Sequence, residues 1–223
     1  MKIDILTLFP KMFDGFLNES IIKRAITDNY VSINIHDIRD YTDDIRKKVD
    51  DYGFGGGAGM VLKVEPVVKA IEAFKTDDSL VIMLTPQGIK YNQKKAYELT
   101  KYKHLILVCG HYEGFDERIR EFVDLEISIG DYVLTGGEIP SMVITDSIVR
   151  LIDGVIVEES HLNDSFNNNL LDYPVYTKPL EFRGLKVPDV LLSGHHENIR
   201  KWRLEQSIKR TKQRRPDLLE KSD

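Results

Sequence analysis

The sequence predicts an α/β domain built on a largely parallel sheet, followed by a small helical basic domain. Two observations carry this. Short apolar runs alternate with helical stretches through the first 155 residues, and the charge is unevenly divided, with a basic segment closing an acidic chain. A strand–helix–strand alternation favours crossover connections, and these make neighbouring strands parallel.

The elements follow in order. Ile3–Phe9 reads as the first strand and Met12–Asp28 as the helix after it. Val31–His36 is the next strand-like run. Then come a helix at Glu65–Phe74, a strand at Leu80–Leu84, a helix at Gln93–Lys101 and a strand at Leu105–Val108. Phe115–Phe122 reads as helical and Leu125–Ile129 as a strand. Ile139–Ile152 is a helix with Ile144, Ile148 and Leu151 on one face. From Asp153 to about Pro179 the periodicity fails. The polar run Asn163-Asp-Ser-Phe-Asn-Asn-Asn, with Pro174 and Pro179 after it, marks a linker or a functional loop. Ile199, Trp202 and Ile208 give the basic stretch a partial helical face. The expected divisions are residues 1–155, a flexible linker at 156–178 and a small basic domain at 179–223.

Composition narrows the class. Of 223 residues, 42% are apolar and 30% charged, which fits a folded soluble domain with a real core. The apolar runs are too short to span a bilayer. The opening Met1-Lys-Ile-Asp-Ile-Leu-Thr-Leu-Phe reads as a strand and not as a signal peptide, because charge interrupts it. Cys109 is the sole cysteine, so neither an internal disulfide nor a cysteine zinc site can form, and a reducing cytoplasm is expected. The chain carries −5 overall, yet His195–Arg215 alone carries +6. Such an asymmetry points to an anionic partner such as RNA; a solvated surface helix is the plain alternative.

Three glycine-bearing segments stand out. Ser128-Ile-Gly-Asp-Tyr-Val-Leu-Thr-Gly-Gly-Glu138 and Cys109-Gly-His-Tyr-Glu-Gly114 each follow an apolar run. Glycine lets main-chain groups lie against a flat ligand, so two such loops at neighbouring strand ends suggest a nucleoside pocket. The third, Gly53-Phe-Gly-Gly-Gly-Ala58, matches the dinucleotide pattern but lacks the preceding strand and the following helix. It reads as a surface loop or as a close-approach loop at a site, the second being favoured. No Gly-Lys-Ser/Thr is present, which excludes a P-loop. The six histidines show no metal-ligand spacing. An Asp164-Ser165 pair in a polar loop ordinarily means turn chemistry, and Arg150 at a helix end ordinarily means an end charge.

Taken together, these segments resemble the bacterial tRNA (guanine-N1)-methyltransferase family, TrmD, of the SPOUT superfamily. The resemblance runs in order through Leu6-Thr-Leu-Phe-Pro-Lys-Met-Phe, Asp50-Asp-Tyr-Gly-Phe-Gly-Gly-Gly-Ala-Gly-Met and Leu84-Thr-Pro-Gln-Gly. It continues through Val108-Cys-Gly-His-Tyr-Glu-Gly-Phe-Asp-Glu-Arg, the 127–138 segment, Asp164-Ser-Phe, Tyr173-Pro-Val-Tyr-Thr-Lys-Pro and Leu191-Leu-Ser-Gly-His-His-Glu-Asn-Ile-Arg-Lys-Trp-Arg. It implies a SPOUT fold whose sheet domain closes in a deep trefoil knot. It also implies a homodimer with the active site at the subunit interface, S-adenosylmethionine as methyl donor, and N1-methylguanine as product at the base 3′ of the anticodon, position 37.

The donor pocket implied by the resemblance comprises Pro86, Gly110, Tyr112, Glu113, Ile129, Gly130, Asp131, Tyr132, Val133, Leu134, Gly136 and Gly137. Asp164 is the implied general base, with Arg150 its partner near the target guanine. Ser165, His195, Arg200, Arg203, Lys209, Arg210, Arg214 and Arg215 are the expected tRNA contacts. A Mg²⁺ requirement is also implied, although no ligand cluster in the sequence marks a metal site. The chain departs from the family pattern at Gly53-Phe54, Asp153, Asn168-Asn169 and Lys178. It is also expected to lack part of the family's final helix, which would alter packing of the small domain. Two rivals share the fold: an RNA-binding protein without turnover, and a methyltransferase acting on ribose or ribosomal RNA.

Overall fold

The structure is a computed structural model that describes residues 1–157 and 164–220. Two compact units result, Met1–Ile156 and Val157–Asp223. The stretch expected as a separate linker groups with the second unit from residue 164 onward, and its residues 158–163 lie outside the described residues. No helix among the described residues is long and apolar enough to cross a membrane.

The first unit contains the strands β1 (Lys2–Thr7), β2 (Ser32–Asp37), β3 (Asp50–Asp51), β4 (Val61–Leu62), β5 (Ser79–Lys90), β6 (His104–Cys109) and β7 (Leu125–Ser128). Five of them form one all-parallel sheet in the order β2-β1-β6-β5-β7. β3 and β4 pair separately as a short antiparallel hairpin around the 53–59 glycine run. Every residue of β6 is buried, as a strand covered on both faces requires.

Alternation along β1 assigns its residues to two faces. Ile3 and Ile5 join Leu105, Leu107 and Ile82 under the helices α2 (Ser20–Thr27), α4 (Gln93–Leu99) and α5 (Glu138–Val149), which supply Ile22, Ala25, Leu99, Ile144 and Ile148. Leu6 turns the other way. It meets Val81, Met83, Ile106 and Val108 beneath α3 (Val64–Phe74), which contributes Val67, Ala70 and Ile71.

Asp4 shares that second face and is fully buried. It receives hydrogen bonds from His104 Nε2 at 2.7 Å, His36 Nε2 at 2.9 Å and Asn34 Nδ2 at 3.0 Å, and Lys2 Nζ lies 2.7 Å away. Burial alone would push the carboxyl up. The bonds from Lys2, His36, Asn34 and His104 outweigh it and pull the pKa down to about 2.

Three expected elements differ. Met12–Asp28 is not one helix but a 3₁₀ turn at Pro10–Phe13, a single turn α1 (Asp14–Leu17) and then α2. The break falls where Asn18 Nδ2 donates to Asp14 O and Glu19 is extended; an asparagine amide bonded to its own chain competes with helix continuation. The stretch Phe115–Phe122 is helical only as a 3₁₀ segment over Glu117–Phe122. Phe115 bridges Leu62 and Asp116 N–H donates to Leu62 O at 2.9 Å, so the chain is held extended until Asp116 caps the turn. The strand expected at Leu80–Leu84 runs on to Lys90 with a break in register. Ile127 pairs with both Leu84 and Ile89, so Thr85–Gly88 leave the ladder as a bulge.

The second unit holds a two-stranded hairpin of β8 (Glu181–Phe182) and β9 (Leu185–Lys186), a 3₁₀ turn at Asp189–Leu192, the 19-residue helix α6 (His196–Arg214) and the short α7 (Asp217–Glu220).

Candidate active site

In a parallel sheet every strand ends on the same edge, and crevices form there. Here the ends of β5, β6 and β7 enclose a cavity of about 360 Å³, within the range of small-ligand sites. The bulge after Leu84 brings Thr85, Pro86 and Gln87 to it. The loop after β6 brings Gly110, His111, Tyr112 and Glu113. The loop after β7 brings Ile129, Gly130 and Tyr132–Gly137.

Eleven of the twelve residues expected in a donor pocket therefore line one cavity. Asp131 does not: its carboxylate points to Lys90 Nζ at 3.0 Å and is exposed. Thr85, Gln87, Phe115, Arg120, Thr135 and Pro140 also line the cavity and were not anticipated. Arg120 is held there by Glu126, by Glu117 at 2.9 Å and by Gln87. Gln87 lies 33 residues before Arg120 in sequence, so no local spacing announces that contact.

The two glycine loops are in direct contact. Gly137 N–H donates to Gly110 O at 2.8 Å, and Gly136 bridges His111. A Cβ on Gly137 would stand 2.6 Å from Cys109 Cα and 2.8 Å from Gly110 N, which no real packing permits. The residue after it, Glu138, is buried and accepts a 2.7 Å hydrogen bond from Thr7 Oγ1, and that hydroxyl oxygen in turn accepts from Phe9 N–H at 2.9 Å. The end of β1 is thereby fastened to the start of α5. Glu138 was visible as the last residue of the glycine motif, but only the fold gives it a role. Cys109 is fully buried. Burial first, then the nearby Glu138 charge, push its thiol well above the ordinary range, so it remains a protonated core residue.

The 53–59 glycine run stands on the β3–β4 hairpin, which joins the loop after β6. Glu113 N–H donates to Met60 O and Leu62 N–H to Gly114 O, both at 2.9 Å. Gly59 takes φ +85°, a conformation strained for any side chain, and a Cβ there would press on the Glu113 side chain 2.4 Å away. Gly59 alone of the run's glycines meets Glu113; Gly55, Gly56 and Gly57 face open space and the run is exposed, so most of it is a surface loop.

Arg150 belongs to the first unit, where it caps the C-terminus of α5. Asp164 belongs to the second. There it helps to line a cavity of about 640 Å³ with Tyr173, His196, Arg200 and Arg203, and Arg203 lies over the Tyr173 ring at 4.6 Å. Ser165 Oγ accepts from Asp172 N–H at 3.0 Å. His195 occupies the position before α6. Lys209 and Arg214 are exposed, Arg210 reaches Asp172 O at 3.4 Å, and Arg215 forks onto Asp217 at 2.9 and 2.8 Å. Among the described residues no group of three or more His, Cys, Asp or Glu could hold a metal ion.

The chain matches the family model described as tRNA (Guanine-1)-methyltransferase TrmD over residues 1–221. It is 57% identical over 222 residues to the tRNA (guanine-N(1)-)-methyltransferase of Mycoplasma mycoides, covering 99% of this chain and 92% of that one. The protein of the same name from Ureaplasma urealyticum is 58% identical over 222 residues, with 99% and 97% covered. That from Staphylococcus aureus is 58% identical over 224 residues, with 99% and 91% covered.

Proposed function

Since this chain belongs to the tRNA (guanine-1)-methyltransferase family TrmD and so methylates tRNA guanine at N1, we propose that its target is the guanine 3′ of the anticodon and that the methyl donor, S-adenosylmethionine, binds in the 360 Å³ cavity. One observation carries the donor assignment: eleven residues from three sequence-distant segments line one cavity, and a glycine there lies too close to neighbouring backbone for any side chain.

When bound, S-adenosylmethionine would supply an activated methyl group on a sulfonium whose sulfur, keeping the electron pair of the broken carbon–sulfur bond, leaves as a neutral thioether. The main-chain groups of 129–134 would hold the adenine, and the glycines at 136–137 would let the backbone approach it. Guanine N1 carries a proton and is a poor nucleophile until that proton leaves. The Asp164 carboxylate accepts the proton as N1 takes the methyl. The Arg150 guanidinium stabilises the negative charge that grows on guanine O6. The target base leaves its stack to be reached. Exposed basic residues of α6 hold the RNA backbone. The residues of the cavity fit a donor of this kind, while a Mg²⁺ ion has no residue cluster in its favour among the described residues.

The reading extends to assembly. It takes the chain as a homodimer with its active site at the subunit interface and a trefoil knot in the C-terminal part of the sheet domain. Ile139 and Val143, four residues apart on α5 and 48% and 42% exposed, support a covered apolar face there. A cytoplasmic location accords with a tRNA substrate.

The test is nucleoside mass analysis of unmodified tRNA after incubation with protein and donor. N1-methylguanine should form, and should vanish when the guanine 3′ of the anticodon is replaced. Equal methylation of the replaced tRNA, or methyl found on ribose, overturns the assigned target.

A further inference from the structure

The loop that carries Asp164 is closed on itself. Phe166 N–H donates to Leu170 O at 2.7 Å, and Asp172 N–H donates to Ser165 Oγ at 3.0 Å. Phe166, Asn168 and Asn169 all take left-handed φ values of 76°, 55° and 55°, so the chain doubles back within a few residues. Such a loop needs an anchor if its first residue is to stand in one place.

The anchor is on α6. Leu171 N–H donates to Thr211 Oγ1 at 2.9 Å, and the Thr211 hydroxyl gives its own proton to Ser207 O at 2.7 Å. Thr211 is fully buried. Arg210 adds a longer bond to Asp172 O at 3.4 Å. A helix packed against a partner ordinarily buries an apolar stripe. The only two buried residues of α6 are instead hydroxyl residues one turn apart, Ser207 and Thr211. Valine would fill the Thr211 site with the same shape. What valine lacks is the acceptor for Leu171 N–H, and that acceptor fixes the register of the loop on the helix.

We propose that Thr211 is a positioning residue for methyl transfer: by holding Leu171 N–H it sets where Asp164 stands. The inference rests on the reading of Asp164 as the base. It assigns α6 a second duty besides RNA contact, since one turn of the helix orders the loop while its exposed cations face outward.

The test compares T211V, T211S and D164N in the full-length protein. T211V should slow single-turnover methylation at saturating tRNA by about 10–100-fold, the scale of a misplaced catalytic group. Donor Kd and tRNA KM should stay within about threefold, since only the reacting geometry has changed. T211S, which keeps the hydroxyl, should restore the rate, and hydrogen exchange at the Leu171 amide should quicken in T211V alone. Wild-type turnover in T211V with D164N inactive overturns the positioning role and leaves the base reading standing. Full turnover in D164N overturns both. Should T211V lose its helical circular dichroism, T211S decides: a rate more than about tenfold down with the Leu171 amide still protected overturns the proposal.

Discussion

Thr7 and Glu138 are 131 residues apart in sequence and 2.7 Å apart in the folded first unit, both buried. The bond ties the end of β1, which lies between β2 and β6, to the helix that follows the Gly136-Gly137 turn. Thr7→Val keeps the shape and removes the donor, leaving a buried carboxylate oxygen short of a partner. The expected cost is about 1–3 kcal/mol in stability. Donor affinity should fall with it, because the turn beside Glu138 lines the cavity. Chemical denaturation and calorimetry with S-adenosylmethionine measure the two effects, and an unchanged affinity would detach this pair from the site.

Gly137→Ala tests the close approach directly. Its Cβ would fall 2.6 Å from Cys109 Cα, so backbone must move. Overpacking of this kind costs about 1–3 kcal/mol. Donor binding should weaken more than tenfold, on the order of the 1.4 kcal/mol that a tenfold change represents. Calorimetric affinity equal to wild type would mean that the two loops are free to separate.

The alternating pattern made the parallel sheet legible, because β1, β5 and β6 begin as short apolar runs and α2 and α3 carry an apolar face. That the two glycine loops meet at one cavity was legible for a related reason: Gly136-Gly137 is a local signal. Contacts that join distant segments were not legible. Arg120 meets Gln87, Thr7 meets Glu138, and Leu171 meets Thr211 through long-range packing that leaves no spacing in the sequence. The break at Asn18–Glu19 was missed because apolar periodicity continues across it, and the competing asparagine bond is a side-chain choice. The bulge at Thr85–Gly88 was missed because a strand signal does not reveal where a ladder loses register.

The Asp4 cluster gives a pH prediction. Despite burial, its carboxyl is held at about 2 in the folded chain, below its ordinary 3.8, by the bonds from Lys2, His36, Asn34 and His104. A depressed carboxyl stabilises the fold above its unfolded pKa, and that stability is lost as pH falls through the folded value. About 2 kcal/mol should therefore disappear between roughly pH 4 and pH 2. Asp4→Asn should be less stable at neutral pH and should lose this part of the acid slope. Denaturation midpoints taken across that window decide it; parallel slopes for the two proteins would place the acid sensitivity elsewhere.

Asp164→Asn retains the size of the side chain and cannot accept the guanine proton. Turnover should drop about 10²–10⁴-fold, the range for a positioned general base. Donor binding, proposed for the cavity of the first unit, should survive. Rapid-quench methylation under single-turnover conditions reads the chemical step. A rate near wild type would remove Asp164 from the reaction.

The two arginines at the C-terminal end of α6 should not contribute equally to RNA binding. Arg215 is forked onto Asp217 at 2.9 and 2.8 Å and its guanidinium lies 5.7 Å from the Phe166 ring centroid, whereas Arg214 is exposed at the last turn of the helix. Each cation that neutralises a phosphate adds about 0.7–0.9 to the slope of log affinity against log salt. Arg214→Gln should lower that slope by about one such step, and Arg215→Gln by less, because its charge is already compensated. Filter binding of tRNA over a range of salt separates the two. Equal slopes for Arg214→Gln and the wild type would place this end of the helix off the RNA, and a larger loss for Arg215→Gln would mean that its fork opens when RNA docks.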